Sequence, residues 1–115
     1  MIEIRLPVPP SVNALYFNLP KRGRAKTKEY KDWLANADSW YRAQMRKLGS
    51  VEPGPCVVEI RLPAKMRGDV SNRTKAAEDF LVSRLITADD RHNWKVSAER
   101  DASLTDHCVI TVRAA

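Results

Sequence analysis

A chain of 115 residues has room for one compact core and not for two ordinary domains. Its 43% apolar and 30% charged residues exclude a disordered polymer, which lacks the apolar surface needed to offset conformational entropy. Twenty Lys and Arg against 14 Asp and Glu leave a formal charge of +6, which favours an anionic partner without naming it.

The chain opens MIEIRLPVPP, without the apolar core and small-residue cleavage pattern of a signal peptide, and no apolar run approaches the roughly 20 residues of a membrane span. No membrane association and a cytoplasmic location are expected. Residues 2 to 6 alternate Ile2, Ile4 and Leu6 with Glu3 and Arg5, the period-two pattern of a half-buried strand, and Pro7, Pro9 and Pro10 end it. From Ser11 to Thr27 the breakers Asn13, Asn18, Pro20 and Gly23 predict an ordered surface loop. Its far end is basic: Lys21, Arg22, Arg24, Lys26, Lys28 and Lys31 are relieved by one acid, Glu29.

Tyr30, Trp33, Leu34, Ala37, Trp40, Tyr41, Met45 and Leu48 then recur at three- and four-residue spacings. That spacing predicts a helix with one packed face, Thr27 as its cap and Gly49 as its stop. After Pro53, Gly54 and Pro55, Cys56, Val58, Ile60 and Leu62 line one side of a second strand closed by Pro63. Cys56 and Cys108 both read as buried, reduced thiols rather than a disulfide.

A polar loop follows, and residues 72 to 86 place Ala76, Ala77, Phe80, Leu81 and Leu85 on a helical face with Ser71 as N-cap. Asp89, Asp90 and Asn93 interrupt. Trp94, Val96 and Ala98 then alternate with Lys95, Ser97 and Glu99, and HCVITV makes a last strand beyond a turn holding Ser103, Thr105 and Asp106. The expected architecture is α+β, a small mixed sheet packed by two helices in the order β-α-β-α-β-β, forming one domain over residues 1–115.

Chemistry concentrates around the second helix. Asp69 lies just before its start, where backbone N–H groups point outward, and Lys75 lies one turn inside, four residues beyond Ser71 on the same side. Cleaving a phosphodiester calls for a hard cation held by carboxylates and for a positive charge facing the transition state. In the plainer alternative Asp69 ends a loop, Ser71 caps a helix, Lys75 is solvated and Asp90 is a turn residue, and spacing alone favours this alternative. Glu78 is about 10 Å of helical rise from Ser71, too far to replace a carboxylate there. Lys65, Arg67 and Arg73 flank the acids and suit phosphate contacts, as does the Lys21, Arg22, Arg24 and Lys26 cluster. His92, in a polar turn, and His107, at a strand start, read as exposed residues outside the site.

Two segments resemble the RusA-type Holliday junction resolvases of bacteria and their prophages. LPVPPSVN, Leu6 to Asn13, is similar to that family's opening strand and Pro-Pro-Ser-x-Asn turn, with Gly23 and Arg24 similar to a basic loop that follows. Asp69, Val70, Ser71, Asn72, Arg73, Thr74 and Lys75, then Asp89 and Asp90, resemble its Asp-x-Asp-Asn-x-x-Lys motif and later Asp pair. The resemblance implies a homodimeric, Mg²⁺- or Mn²⁺-dependent endonuclease that recognises four-way DNA junctions and nicks them symmetrically in recombination and repair. Asp69, Lys75 and Asp90 would be its catalytic residues, Asp69 and Asp90 its metal ligands, and Asn72 and Asp89 further site members. Ser71 stands where the family pattern has a second catalytic aspartate, and a neutral hydroxyl is a poorer ligand for a hard cation. Two alternatives are a junction-binding protein that has lost cleavage and a basic protein-interaction module whose acids are structural.

Overall fold

The computed structural model describes residues 1–87 and 90–115, and of residue 90 only the backbone. It is a mixed α+β structure. In chain order come β1 (Ile2–Pro7), a hairpin of β2 (Tyr16–Leu19) and β3 (Gly23–Lys26), α1 (Lys28–Gln44), β4 (Cys56–Pro63), α2 (Thr74–Ser83), β5 (Asn93–Asp101) and β6 (His107–Ala114). Strands β1, β6, β4 and β5 form one sheet in that order, with β4 and β5 parallel and the other neighbours antiparallel.

Alternation decides which sheet face is covered. Ile4, Leu6, Val58, Ile60, Leu62, Cys108, Ile110 and Val112 are buried together with Tyr30, Trp33 and Ala37 of α1 and Ala76, Ala77, Phe80 and Leu81 of α2. Both helices therefore pack on one face, and a single cluster of buried side chains runs from Ile2 to Val112. The opposite face is a polar lattice: Arg61 pairs with Glu3 and Asp101, and Arg113 with Glu59, while Val57, opposite Arg113, and Val109, opposite Arg61, are buried. Both cysteines are buried and unlinked, and burial pushes the Cys108 thiol up to about 12. Among the described residues no helix is long and apolar enough to cross a membrane.

The structure departs from the expected order in the segment from Ser11 to Thr27, which holds a 3-10 turn (Val12–Ala14) and the β2–β3 hairpin rather than a loop. Its breakers make the hairpin turn. Pro20 occupies the second turn position, Lys21 takes the third with φ +58°, and the Arg22 N–H donates to the Leu19 carbonyl at 3.3 Å. Thr27 caps α1 as expected, its hydroxyl accepting from the Tyr30 N–H at 3.1 Å. Trp40 is exposed, and α1 ends at Gln44 with Met45 as its C-cap, so its packed stripe is shorter than the spacing suggested and Gly49 is not its stop.

The second helix is shorter at both ends than residues 72 to 86. A 3-10 turn (Val70–Arg73) precedes it, so Ser71 lies inside that turn and is not a helix cap. At its C-terminus Leu85 adopts φ +58°, with the Leu85 N–H bonded to the Val82 carbonyl and the Ile86 N–H to the Leu81 carbonyl. This is the Schellman arrangement with leucine where glycine is favoured. It turns Leu85 away from the core, leaving it 85% exposed. Leu85→Gly should stabilise the protein by about 0.5–1 kcal/mol, since relief of left-handed strain outweighs the added freedom of the unfolded chain. Chemical denaturation would show it as a higher midpoint at unchanged slope.

Candidate functional site

The turn that carries Asp69 is built by two arginines that donate inward. Arg100, on the helix-facing side of β5, gives N–H bonds to the carbonyls of Ala64 (2.9 Å), Met66 (2.6 Å) and Gly68 (2.6 Å). Arg73 donates to the Arg67 carbonyl at 3.2 Å and to the Pro9 carbonyl at 2.9 Å. Backbone acceptors that would otherwise face water are thereby turned toward the guanidinium groups, and the segment from Ala64 to Asp69 wraps around them. The Arg73 to Pro9 bond also ties the turn after β1, where Pro9 and Pro10 are buried, to the start of α2. The two segments that carry the resemblance, far apart in sequence, are neighbours in space.

Asp69 occupies the cap position of the Val70–Arg73 turn, yet its side chain makes no cap bond. Asp69 and Ser71 are exposed and Asn72 is half-buried. One turn therefore presents a carboxylate, a hydroxyl and an amide, oxygen donors of the kind a hard divalent cation takes alongside water and phosphate oxygens. Lys75 extends along α2 and its Nζ lies 3.1 Å from Asp79 Oδ1 in an i,i+4 pair. The 3-10 turn Asp90–His92 lies beside α2, and Asn93 donates to Glu78 at 3.4 Å, so the chain that carries Asp90 returns alongside the helix that carries Lys75. Asp89 and the side chain of Asp90 lie outside the described residues. Among the described residues no three acidic, histidine or cysteine side chains gather at one point.

No protein-family model matches this chain, and no curated protein matches it.

The expected basic surface is split between two places. Lys65 and Arg67 are exposed on the loop leading to Asp69, whereas the Arg73 guanidinium is taken up by carbonyls. Lys21, Arg22, Arg24 and Lys26 are exposed on the β2–β3 hairpin, where the Arg24 guanidinium lies 4.8 Å from the Tyr16 ring centre. Between hairpin, α1 and α2 runs a groove of about 370 Å³ lined by Tyr16, Lys26, Tyr30, Asp79, Ser83 and Arg84. Asp79 links it to Lys75, which places the basic hairpin and the candidate catalytic lysine on one side of the molecule. Burial, then the nearby Tyr16 and Asp79, push the Tyr30 hydroxyl up to about 12, so it stays a protonated phenol at neutral pH.

Asp79 and Arg100 are the participants that sequence reasoning missed. Arg100 had a signal, since it continues the Trp94, Val96, Ala98 alternation and so sets a charge on the helix-facing side of a strand, where it must find acceptors. Arg100→Gln should hand at least two of the three exposed carbonyls over to water, lowering stability by about 1 kcal/mol. Hydrogen exchange should rise first in residues 64–69, with β4 and β6 still protected.

Proposed function

We propose that this protein is a RusA-like, metal-dependent endonuclease that acts as a homodimer and nicks four-way DNA junctions symmetrically in recombination and repair. The observation that supports the reading most is the Arg73 to Pro9 bond, which brings both resembling segments to one place although 64 positions separate the bonded residues. In this reading Asp69 and Asp90 hold a Mg²⁺ or Mn²⁺ ion, with Ser71, Asn72 and Asp89 around it. Such an ion, held there, would supply Lewis-acid polarisation of the scissile phosphate and activation of a water. Lys75 sets its ammonium against charge that develops on the phosphoryl oxygens. Lys65 and Arg67 beside the acidic turn, and Lys21, Arg22, Arg24 and Lys26 on the hairpin, grip the backbone without reading bases.

The test is incubation with a synthetic four-way junction and Mg²⁺ or Mn²⁺, with linear duplex as control. Paired nicks across the junction are expected. Binding without cutting would replace this reading by that of a junction-binding protein, which Ser71 favours. Affinity that barely changes with salt would remove DNA as the partner altogether. Ser71→Asp restores a carboxylate one residue past Val70 on the exposed turn, and nicking should rise about tenfold, worth 1.4 kcal/mol in the barrier. An unchanged rate would show that Ser71 is not what limits the site.

A further inference from the structure

The two edges of the four-stranded sheet are treated differently. At β1, Gln44 of α1 accepts from the Arg5 N–H at 2.8 Å and donates to the Arg5 carbonyl at 2.6 Å, while the Trp33 indole donates to the Pro7 carbonyl at 3.0 Å. That edge is closed by side chains. At β5 no strand pairs the outer side among the described residues, the strand contains no proline, and Trp94 stands 71% exposed. An open edge of nine residues is a template for another strand.

We infer that β5 pairs with β5 of a second copy of this chain, antiparallel about a two-fold axis beside Ser97, joining the two four-stranded sheets into one. It specifies the homodimer invoked by the proposed function, but its test reads assembly without DNA, so the two can fail separately.

The strand is complementary to itself in this register. Along β5 the N–H and carbonyl of alternate residues point outward, so opposed residues in a symmetric antiparallel pair lie at even-summed positions and one residue faces its own copy. With Ser97 there, Lys95 faces Glu99, Val96 faces Ala98 and Trp94 faces Arg100, each pair occurring twice. Shifting the centre to Val96 sets Lys95 against Ser97 and leaves no charge pair. Shifting it to Ala98 sets Val96 against Arg100, and Lys95 against Asp101, which already takes bonds from Arg61 and Ser103.

The burial pattern agrees with the Ser97 register. Lys95 and Glu99 are exposed and make no ion pair among the described residues, so their charges are available to a neighbour. Val96 and Ala98 are partly buried against the core, and facing one another they continue the apolar layer across the axis. The N–H groups of Arg100 are spent in its plane on three carbonyls, which leaves the flat face of the guanidinium for the Trp94 ring of the second copy. A lone Lys on an edge strand discourages pairing; opposite Glu99 it selects the register instead.

Ser97→Cys tests it directly, because directly opposed residues of antiparallel strands have Cα atoms about 4.5–5.5 Å apart, within disulfide reach. Mild oxidation of dilute Ser97→Cys protein should give a reducible dimer, whereas the wild type, with both cysteines buried, should not cross-link. Lys95→Cys and Glu99→Cys should each fail to link alone and should link when mixed. By light scattering Lys95→Glu should weaken the wild-type dimer about tenfold or more, and the double change Lys95→Glu, Glu99→Lys should restore it. Circular dichroism on every variant keeps folding defects apart from loss of contact. A wild type that is monomeric at tens of micromolar, or a folded dimer in which Ser97→Cys never cross-links, would overturn the inference.

Discussion

Lys75→Ala should lower the single-turnover rate of junction nicking by about a hundredfold or more while junction affinity changes by less than about threefold. Lys75 is the second residue of α2, and its ammonium is half-exposed and drawn along the helix by Asp79 at 3.1 Å. An exposed i,i+4 pair contributes only about 0.3–0.5 kcal/mol, so removing it leaves the fold intact. One cation among the twenty Lys and Arg residues likewise adds little to phosphate affinity, and its loss should reduce the salt slope of binding by about one. In the proposed function it would supply a charge facing the phosphate as negative charge builds in the transition state, which is why rate and affinity should separate. Lys75→Arg keeps the charge but not its compact shape and should recover part of the rate. Nicking and affinity falling together would make Lys75 an ordinary backbone contact, and unchanged nicking would leave it a structural role alone.

How much of this was legible in the sequence differs between strands and turns. The four strands of the main sheet announced themselves because each has one face against the helices: Ile2, Ile4 and Leu6, or Cys56, Val58, Ile60 and Leu62, follow from burial itself. The β2–β3 hairpin did not, since only four residues make each strand and none of them is fully buried, while Pro20 in its turn and Gly23 just beyond it read as loop. Leu85 misled for a related reason. Helical spacing sets it on the packed face, but the helix ends at Ser83 and the left-handed turn that follows sends it outward. Around the site, the family resemblance pointed to Asp69 and Lys75, but the two arginines that shape their surroundings act through backbone carbonyls, which a sequence does not display. Arg73 was expected to hold phosphate. Its guanidinium donates to the carbonyls of Pro9 and Arg67, which ties the turn after β1 to the start of α2.

Phe80→Ala should destabilise the protein by about 3–5 kcal/mol, the largest loss expected of any single change considered. Phe80 is the largest of the fully buried side chains and lies where α2 meets α1. Its ring meets Trp33 edge-on at 5.8 Å and Tyr41 edge-on at 6.1 Å, and the Arg84 guanidinium covers it at 5.0 Å. Truncation removes the transfer energy of the ring and leaves a cavity whose walls are two large aromatics on α1, a helix anchored independently by Thr27 and by Gln44 on β1. Such walls collapse poorly, which places the cost toward the upper part of the range. Against a total of about 5–15 kcal/mol this is a large share, and thermal midpoints should fall by roughly 12–20 °C. Phe80→Leu keeps most of the volume and should cost about 1–1.5 kcal/mol. Below its lowered midpoint the Phe80→Ala protein should still nick junctions, because Lys75 and the Asp69 turn are held from the other end of α2 by Arg73 and Arg100. Loss of nicking in protein still folded by circular dichroism would mean instead that α2 positions the site through its packing on α1.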